Sequence, residues 1–92
     1  MRYRLIVPPE ISRAIGAFGL DRNSLVMVLN RLYQELEERA DDHKRHRDPA
    51  HPDLYFWFEL TVWDHGRRRG FRFTVDDARA ADHLFLVAAE EI

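Results

Sequence analysis

A strictly alternating segment at residues 54–63 constrains the fold of this chain most. Every second residue from Leu54 to Val62 is leucine, phenylalanine or valine, and the residues between them run from Tyr55 to Trp63. This period of two predicts a β-strand of about ten residues with one side-chain row on a core. Both rows carry aromatic side chains, so the second face needs an explanation of its own.

The N-terminal forty residues predict one strand followed by two helices. Alternation over residues 2–7 indicates a strand, which the pair Pro8-Pro9 ends. From Ile11 to Phe18, apolar residues fall at i, i+3, i+4 and i+7, as on one face of a helix, and Gly19 suits the position that stops it. A second apolar stripe, from Leu25 to Leu36, predicts a longer helix of about three turns with Asp21 or Asn23 as its cap.

The rest of the chain predicts two more strands. Charges, histidines and prolines without an apolar period fill residues 41–53 and indicate a solvated loop. The segment Asp64–Gly70, with a glycine on each side of three arginines, is interpreted as the turn of a hairpin that continues into a strand at 71–75. After a connection at 76–82, a last strand is expected at 84–89.

The element order is therefore β-α-α-β-β-β. Two amphipathic helices need one apolar sheet face to cover, and consecutive strands with short connections favour antiparallel pairing. We expect a single α+β domain spanning 1–92: a two-layer sandwich with two N-terminal helices on a mainly antiparallel four-stranded sheet.

Composition narrows the classes of function. The 92 residues contain no cysteine, which excludes disulfides, thiolate metal sites and cysteine nucleophiles. The net charge of −2 argues against a general polyanion binder. No apolar run approaches the roughly 18 residues of a membrane span, so a cytoplasmic protein without membrane contact is expected.

The order and spacing of these elements resemble those of the RelE/ParE toxin superfamily. The resemblance covers nearly the whole chain and depends on the spacing of apolar positions. The matching segments are 4–7, 32–36, 56–62, 71–76 and 84–89.

This resemblance implies a small bacterial toxin that is neutralised by a cognate antitoxin protein. Such a toxin acts as a ribosome-dependent mRNA endonuclease or inhibits gyrase. The chain departs from the nuclease pattern because Lys44 is its only lysine and no tyrosine or histidine follows Leu86. These departures favour an alternative function, a non-catalytic RelE/ParE-like module that binds a protein, so whether the chain is an enzyme stays open at this point.

Arg67, Arg68 and Arg69 are the sharpest local charge feature and are predicted to bind nucleic acid or another anion. The planar guanidinium binds phosphate oxygens in a bidentate manner. The alternative is a solvated hairpin tip that keeps the sheet soluble and discourages edge pairing.

If the chain cleaves RNA, the predicted catalytic residues are His83, Arg72 and Tyr55. His83 is the best candidate for proton transfer, with Tyr55 in second rank, and Arg72 would stabilise charge that develops on the phosphoryl group. Carboxylates near strand ends more often form caps and turns. No cofactor is expected, because phosphate-binding glycine loops and zinc spacings are absent.

The histidines between His43 and His51 could be taken for metal ligands, but neighbouring cations oppose a metal ion and a solvated loop is favoured. Trp57 and Trp63 are predicted to bind a partner, with core packing as the alternative. If they lie on the sheet face away from the helices, a partner is the stronger explanation, because monomers rarely expose large apolar patches.

Overall fold

A computed structural model describes residues 2–92 and confirms the predicted α+β class with two helices and four strands. A short 3-10 turn at Ala40–Asp42 extends the second helix. The helices and strands are β1 (Arg4–Ile6), α1 (Pro9–Gly16), α2 (Arg22–Arg39), β2 (Tyr55–Asp64), β3 (Arg67–Asp76) and β4 (His83–Glu91).

The four strands form one mixed sheet in the order β1-β4-β3-β2. β2 pairs with β3 and β3 with β4 in antiparallel fashion, whereas β1 runs parallel to β4 with Arg4 opposite His83. A register shift between Thr74 and Val75 marks a β-bulge. The two edges of the sheet are therefore the short strand β1 and the long strand β2.

Both helices lie on one face of the sheet, and the core forms between the two layers. α1 packs against β4, and α2 crosses from β2 to β1. The core contains the apolar side chains that alternate along the strands, as the sequence pattern predicted. Its largest fully buried side chains are Phe56, Phe71, Phe73, Ile15, Leu32, Leu36, Leu84 and Leu86.

Local signals place the helix ends. Pro9 occupies the first turn of α1, where its missing N–H costs no hydrogen bond. Gly19 has φ +73° in the connection between the helices, a conformation that glycine adopts without strain. Asp21 caps α2, because its side chain accepts a hydrogen bond from the Ser24 N–H at 2.8 Å.

The predicted turn at Asp64–Gly70 is too long. The turn proper consists of His65 and Gly66, with φ +51° and +73°, and β3 begins at Arg67. Two successive residues with positive φ are typical of the tight turn that matches the twist of a two-stranded hairpin. Glycines beside three arginines suggested a loop, but in the structure all three arginines belong to the strand.

The segment between Asp41 and Asp53 is irregular and mostly exposed, as predicted for a solvated loop, but it also contacts the sheet. The Trp57 N–H donates to the His46 carbonyl at 2.8 Å, so this segment pairs with the start of β2. Arg47 donates two hydrogen bonds, of 2.9 and 3.0 Å, to the Asp77 carboxylate in the β3–β4 connection. The segment is ordered by partners that lie elsewhere in the sequence.

In the part of the chain that the structure describes, no helix combines the length and apolar character that crossing a membrane requires.

Candidate functional site

The three consecutive arginines separate onto two faces because they lie in a strand. Arg67 and Arg69 point to the helix side of the sheet, and Arg68 points to the opposite side. Arg69 is 15% exposed at its side chain, whereas Arg67 and Arg68 are exposed. The predicted anion-binding set is thus not one continuous cluster.

Arg69 ties the end of the sheet to the helix layer. Its guanidinium donates to Asp64 at 3.2 Å, to Glu91 at 2.7 Å and to the Phe18 carbonyl at 2.6 Å. It therefore joins β2, β3 and β4 to the connection that follows α1. These hydrogen bonds occupy the guanidinium N–H groups that would otherwise bind a phosphate.

Both carboxylates of this cluster have lowered pKa values. The hydrogen bonds from Arg69 hold the pKa of Glu91 below its usual range. Burial raises the pKa of Asp64, but hydrogen bonds from the Asp21 N–H, Ser24 and Arg69 outweigh burial and lower it overall. The Arg69 pKa is raised, chiefly by its hydrogen bond to Glu91. The cluster is a fixed, charged element of the fold.

The end of the hairpin presents a second, outward-facing group. Trp63 is 72% exposed, on the sheet face away from the helices, and Arg68 is its cross-strand partner. Within residues 2–92, the Arg68 side chain has no hydrogen bond and no ion pair within 4 Å, whereas the charge of Arg67 helps to lower the pKa of Glu91. We call Trp63 and Arg68 the tip patch. It joins a large apolar ring to an unpaired cation on the same sheet face, a combination common at binding surfaces.

The second predicted partner-binding residue, Trp57, is in a different environment. It lies on the same face as Trp63, but Arg72 stacks on its ring with 3.8 Å from the guanidinium carbon to the ring centroid. Arg72 also donates to Glu59 at 2.6 Å and lies 3.8 Å from Glu90. Both the indole and the guanidinium are therefore engaged within the chain.

His83, the predicted proton-transfer residue, lines a cleft of about 250 Å³ at the opposite end of the sheet. Its Nδ1 lies 2.7 Å from an Asp82 carboxylate oxygen, and this hydrogen bond lowers the Asp82 pKa. The other residues lining the cleft are Arg2, Tyr3 and Arg4. A histidine oriented by a carboxylate beside arginines is an arrangement able to move a proton near an anion.

The structure does not bring the three predicted catalytic residues together. Arg72 lies opposite Glu90 in β4. Glu90 is seven residues along β4 from His83, so Arg72 and His83 are roughly 20 Å apart. Tyr55 is four residues along β2 from Glu59, the partner of Arg72, a distance of roughly 13 Å. The Tyr55 ring instead packs edge-on against His51.

A larger cleft, of about 350 Å³, lies at the outer edge of β2 and was missed by the sequence analysis. His43, His46, Trp57 and Glu59 line it. His43 Nε2 lies 3.1 Å from a Glu35 carboxylate oxygen, and the ring packs edge-on against Phe58. No local signal placed this histidine-rich segment beside β2.

Asp21, Asp64 and His65 offer oxygen and nitrogen atoms within 4.8 Å of one another near the hairpin turn. Asp64 is already paired with Arg69 and accepts the Asp21 N–H at 3.2 Å. The Asp21 carboxylate caps α2. The two acids therefore have structural roles that account for their position.

Comparisons of the chain with models of protein families, with curated proteins and with solved structures find no match. The resemblance to the RelE/ParE superfamily stays a prediction from element order.

Proposed function

We propose that this chain is a non-catalytic RelE/ParE-like module that binds a protein through the tip patch. The observation that carries the proposal is the exposure of Trp63 beside the unpaired Arg68 on the same sheet face. Tryptophan and arginine are the residues that most often dominate binding energy at protein interfaces.

The contrast between the two tryptophans supports this proposal. Trp57 has its own intrachain partner in Arg72, while Trp63, on the same face, has most of its surface in contact with solvent. Burying apolar surface contributes about 25 cal/mol per Å². An indole left this exposed is a source of binding energy that the isolated chain does not use.

The element order supports the family part of the proposal. A β-α-α-β-β-β chain with both helices on one sheet face is what the resemblance to the RelE/ParE superfamily implies. Within that resemblance, the gyrase-inhibitor type and other protein-binding members need no nuclease residues. The partner that the resemblance implies is a cognate antitoxin or another protein target.

Site-specific photo-crosslinking in cells tests the proposal. A photoreactive phenylalanine analogue replaces Trp63 in one variant and Leu54, which is 45% exposed at the other end of β2, in a matched control. We expect discrete, nuclease-resistant protein adducts from position 63 and none from position 54. The same adducts from both positions, or none from position 63, would contradict the proposal.

The second candidate function is a ribosome-dependent mRNA endonuclease. The hydrogen bond between His83 and Asp82, in a cleft that also holds Arg4, favours it. Under this alternative, position 63 gives nuclease-sensitive RNA adducts. His83→Ala then abolishes cleavage, whereas Trp63→Ala weakens RNA binding by the roughly 1–3 kcal/mol of one stacked base.

A further inference from the structure

The cleft of about 350 Å³ at the outer edge of β2 is lined by side chains that can bind a transition metal. His43 and His46 come from the segment before β2, whereas Trp57 and Glu59 belong to β2 itself. The His46 carbonyl accepts a hydrogen bond from the Trp57 N–H at 2.8 Å, which fixes the segment beside the strand. Imidazole nitrogens and carboxylate oxygens are ordinary ligands of zinc in proteins.

His43 is oriented as a metal-binding histidine would be. Its Nε2 lies 3.1 Å from a Glu35 carboxylate oxygen, and because an ionised carboxylate only accepts hydrogen bonds, Nε2 carries the hydrogen. Nδ1 of the neutral ring therefore keeps its lone pair for an ion. The ring also packs edge-on against Phe58. Histidines that bind metals usually donate their second N–H to a carboxylate or a carbonyl in this way.

Glu59 and His46 each offer a further ligand atom. One Glu59 carboxylate oxygen accepts a hydrogen bond from Arg72 Nε at 2.6 Å, and within residues 2–92 the other oxygen accepts none. The exposed His46 side chain makes no hydrogen bond or ion pair with the described residues. The ligand atoms of His43, His46 and Glu59 do not all lie within 4.8 Å of one another, so the His46 side chain has to rotate onto an ion.

The ion pairs that border the cleft leave an excess of negative charge. Two arginines are each shared by two carboxylates: Arg39 by Glu35 and Asp42, and Arg72 by Glu59 and Glu90. In each group one carboxylate charge is not balanced by the arginine. A divalent cation in the cleft lies close to both groups and compensates this excess.

The cations that argued against a metal ion in the sequence have partners away from the cleft. Lys44 Nζ donates to the Tyr3 hydroxyl at 2.9 Å, and Arg47 donates to the Asp77 carboxylate at 2.9 and 3.0 Å. Neither cation lines the cleft, and neither does Arg45. The fold thus separates charges that are adjacent in the sequence from the two histidines.

From the two histidines, the available carboxylate oxygen and the excess negative charge, we infer that this cleft binds a Zn²⁺ ion. His43 Nδ1, His46 and Glu59 coordinate the ion, and a water molecule completes the tetrahedron that zinc prefers. Glu35 is a positioning residue, because it holds the His43 ring and leaves Nδ1 free. The site lies four residues along β2 from Trp63, a distance of roughly 13 Å, and is therefore separate from the tip patch.

Calorimetric titration of the untagged chain with Zn²⁺ tests the site. We expect one Zn²⁺ per chain and no binding of Mg²⁺, which takes oxygen ligands. His46→Ala should lower the Zn²⁺ affinity at least about tenfold without loss of the fold, because this side chain makes no hydrogen bond within residues 2–92. His65→Ala is the matched control, because His65 lies with Asp21 and Asp64 in a rival group of ligand atoms within 4.8 Å of one another.

Two further measurements separate coordination from folding. Co²⁺ in place of Zn²⁺ should give the visible absorption bands of a tetrahedral site, and His43→Ala and His46→Ala should each remove them. Glu35→Ala should weaken Zn²⁺ binding roughly tenfold, and Glu35→Gln, whose amide oxygen still accepts from His43 Nε2, should restore it. Far-ultraviolet circular dichroism without metal checks that each variant is folded.

The inference is overturned if the chain binds no Zn²⁺ or if His46→Ala binds Zn²⁺ as tightly as the parent chain does. It is also overturned if His65→Ala abolishes binding, because the ion then lies at the hairpin turn. The crosslinking experiment at position 63 does not depend on this site, so the proposed function and the zinc site can fail separately.

Discussion

Arg68 and Arg69 are neighbours in the sequence but have opposite surroundings. Arg69 turns inward to Asp64, Glu91 and the Phe18 carbonyl, while Arg68 turns outward beside Trp63 without an ion pair. Strand alternation alone makes this difference. A run of like charges in a strand is therefore divided between stabilising the fold and presenting a binding surface.

The largest expected effect is on stability. Arg69→Ala leaves Asp64 without its cation and the Phe18 carbonyl without its donor, and breaking such a partly buried network is strongly destabilising. We expect the Tm to fall by at least about 5 °C, against less than about 2 °C for Arg68→Ala. Thermal unfolding of both variants measures the difference. Equal losses would show that the inward contacts contribute nothing special.

The second prediction concerns partner binding. Trp63→Ala should weaken binding of the partner that crosslinks at position 63 by roughly 30-fold, as expected for a central interface tryptophan. Trp57→Ala should have a much smaller effect on affinity, because Arg72 already covers that ring. Calorimetric titration measures both affinities. A larger loss from Trp57→Ala would move the binding surface to the middle of the sheet.

The third prediction concerns the thermal stability of the fold at low pH. The pKa values of Asp64 and Glu91 are lowered in the folded chain, so their contribution to stability is complete above their unfolded pKa values and is lost as the pH falls through the lowered ones. The Tm should therefore decline below about pH 5. The decline should be shallower in Arg69→Ala and unchanged in Arg68→Ala. If the Tm of the parent chain, Arg69→Ala and Arg68→Ala declines with the same dependence on pH, this cluster is not the cause.

The smallest effect comes from the turn that sets the register of the arginines. Gly66 has φ +73° and open space around its Cα, so Gly66→Ala introduces only backbone strain. We expect a loss of about 1 kcal/mol in the free energy of unfolding. Gly16→Ala, at the end of α1, should instead be neutral or slightly stabilising. Urea unfolding of both variants checks the signs.

The sequence allowed the main elements to be predicted because their signals are local. The alternation at 54–63 lies within one residue of β2, and the stripe from Leu25 to Leu36 falls inside α2. These patterns follow from one buried face per element. These local patterns were sufficient to predict the α+β class, which the structure confirms.

The site was harder to predict because its contacts are distant in the sequence. Arg47 holds the 43–53 segment through Asp77, thirty residues away, and Arg69 meets Phe18, fifty-one residues away. Composition predicted a long turn that included three arginines. The structure has a shorter turn, because His65 adopts a positive φ that composition did not indicate. His83, Arg72 and Tyr55 were grouped by residue type, whereas strand register separates them.

We propose that the chain binds a protein and does not cleave RNA. The most direct test maps mRNA 5′ ends on ribosomes during controlled expression in a bacterial host, for the parent chain and for His83→Ala. We expect the same mRNA ends with both proteins and without expression. New codon-phased ends that appear with the parent chain and disappear with His83→Ala would contradict it and establish an endonuclease.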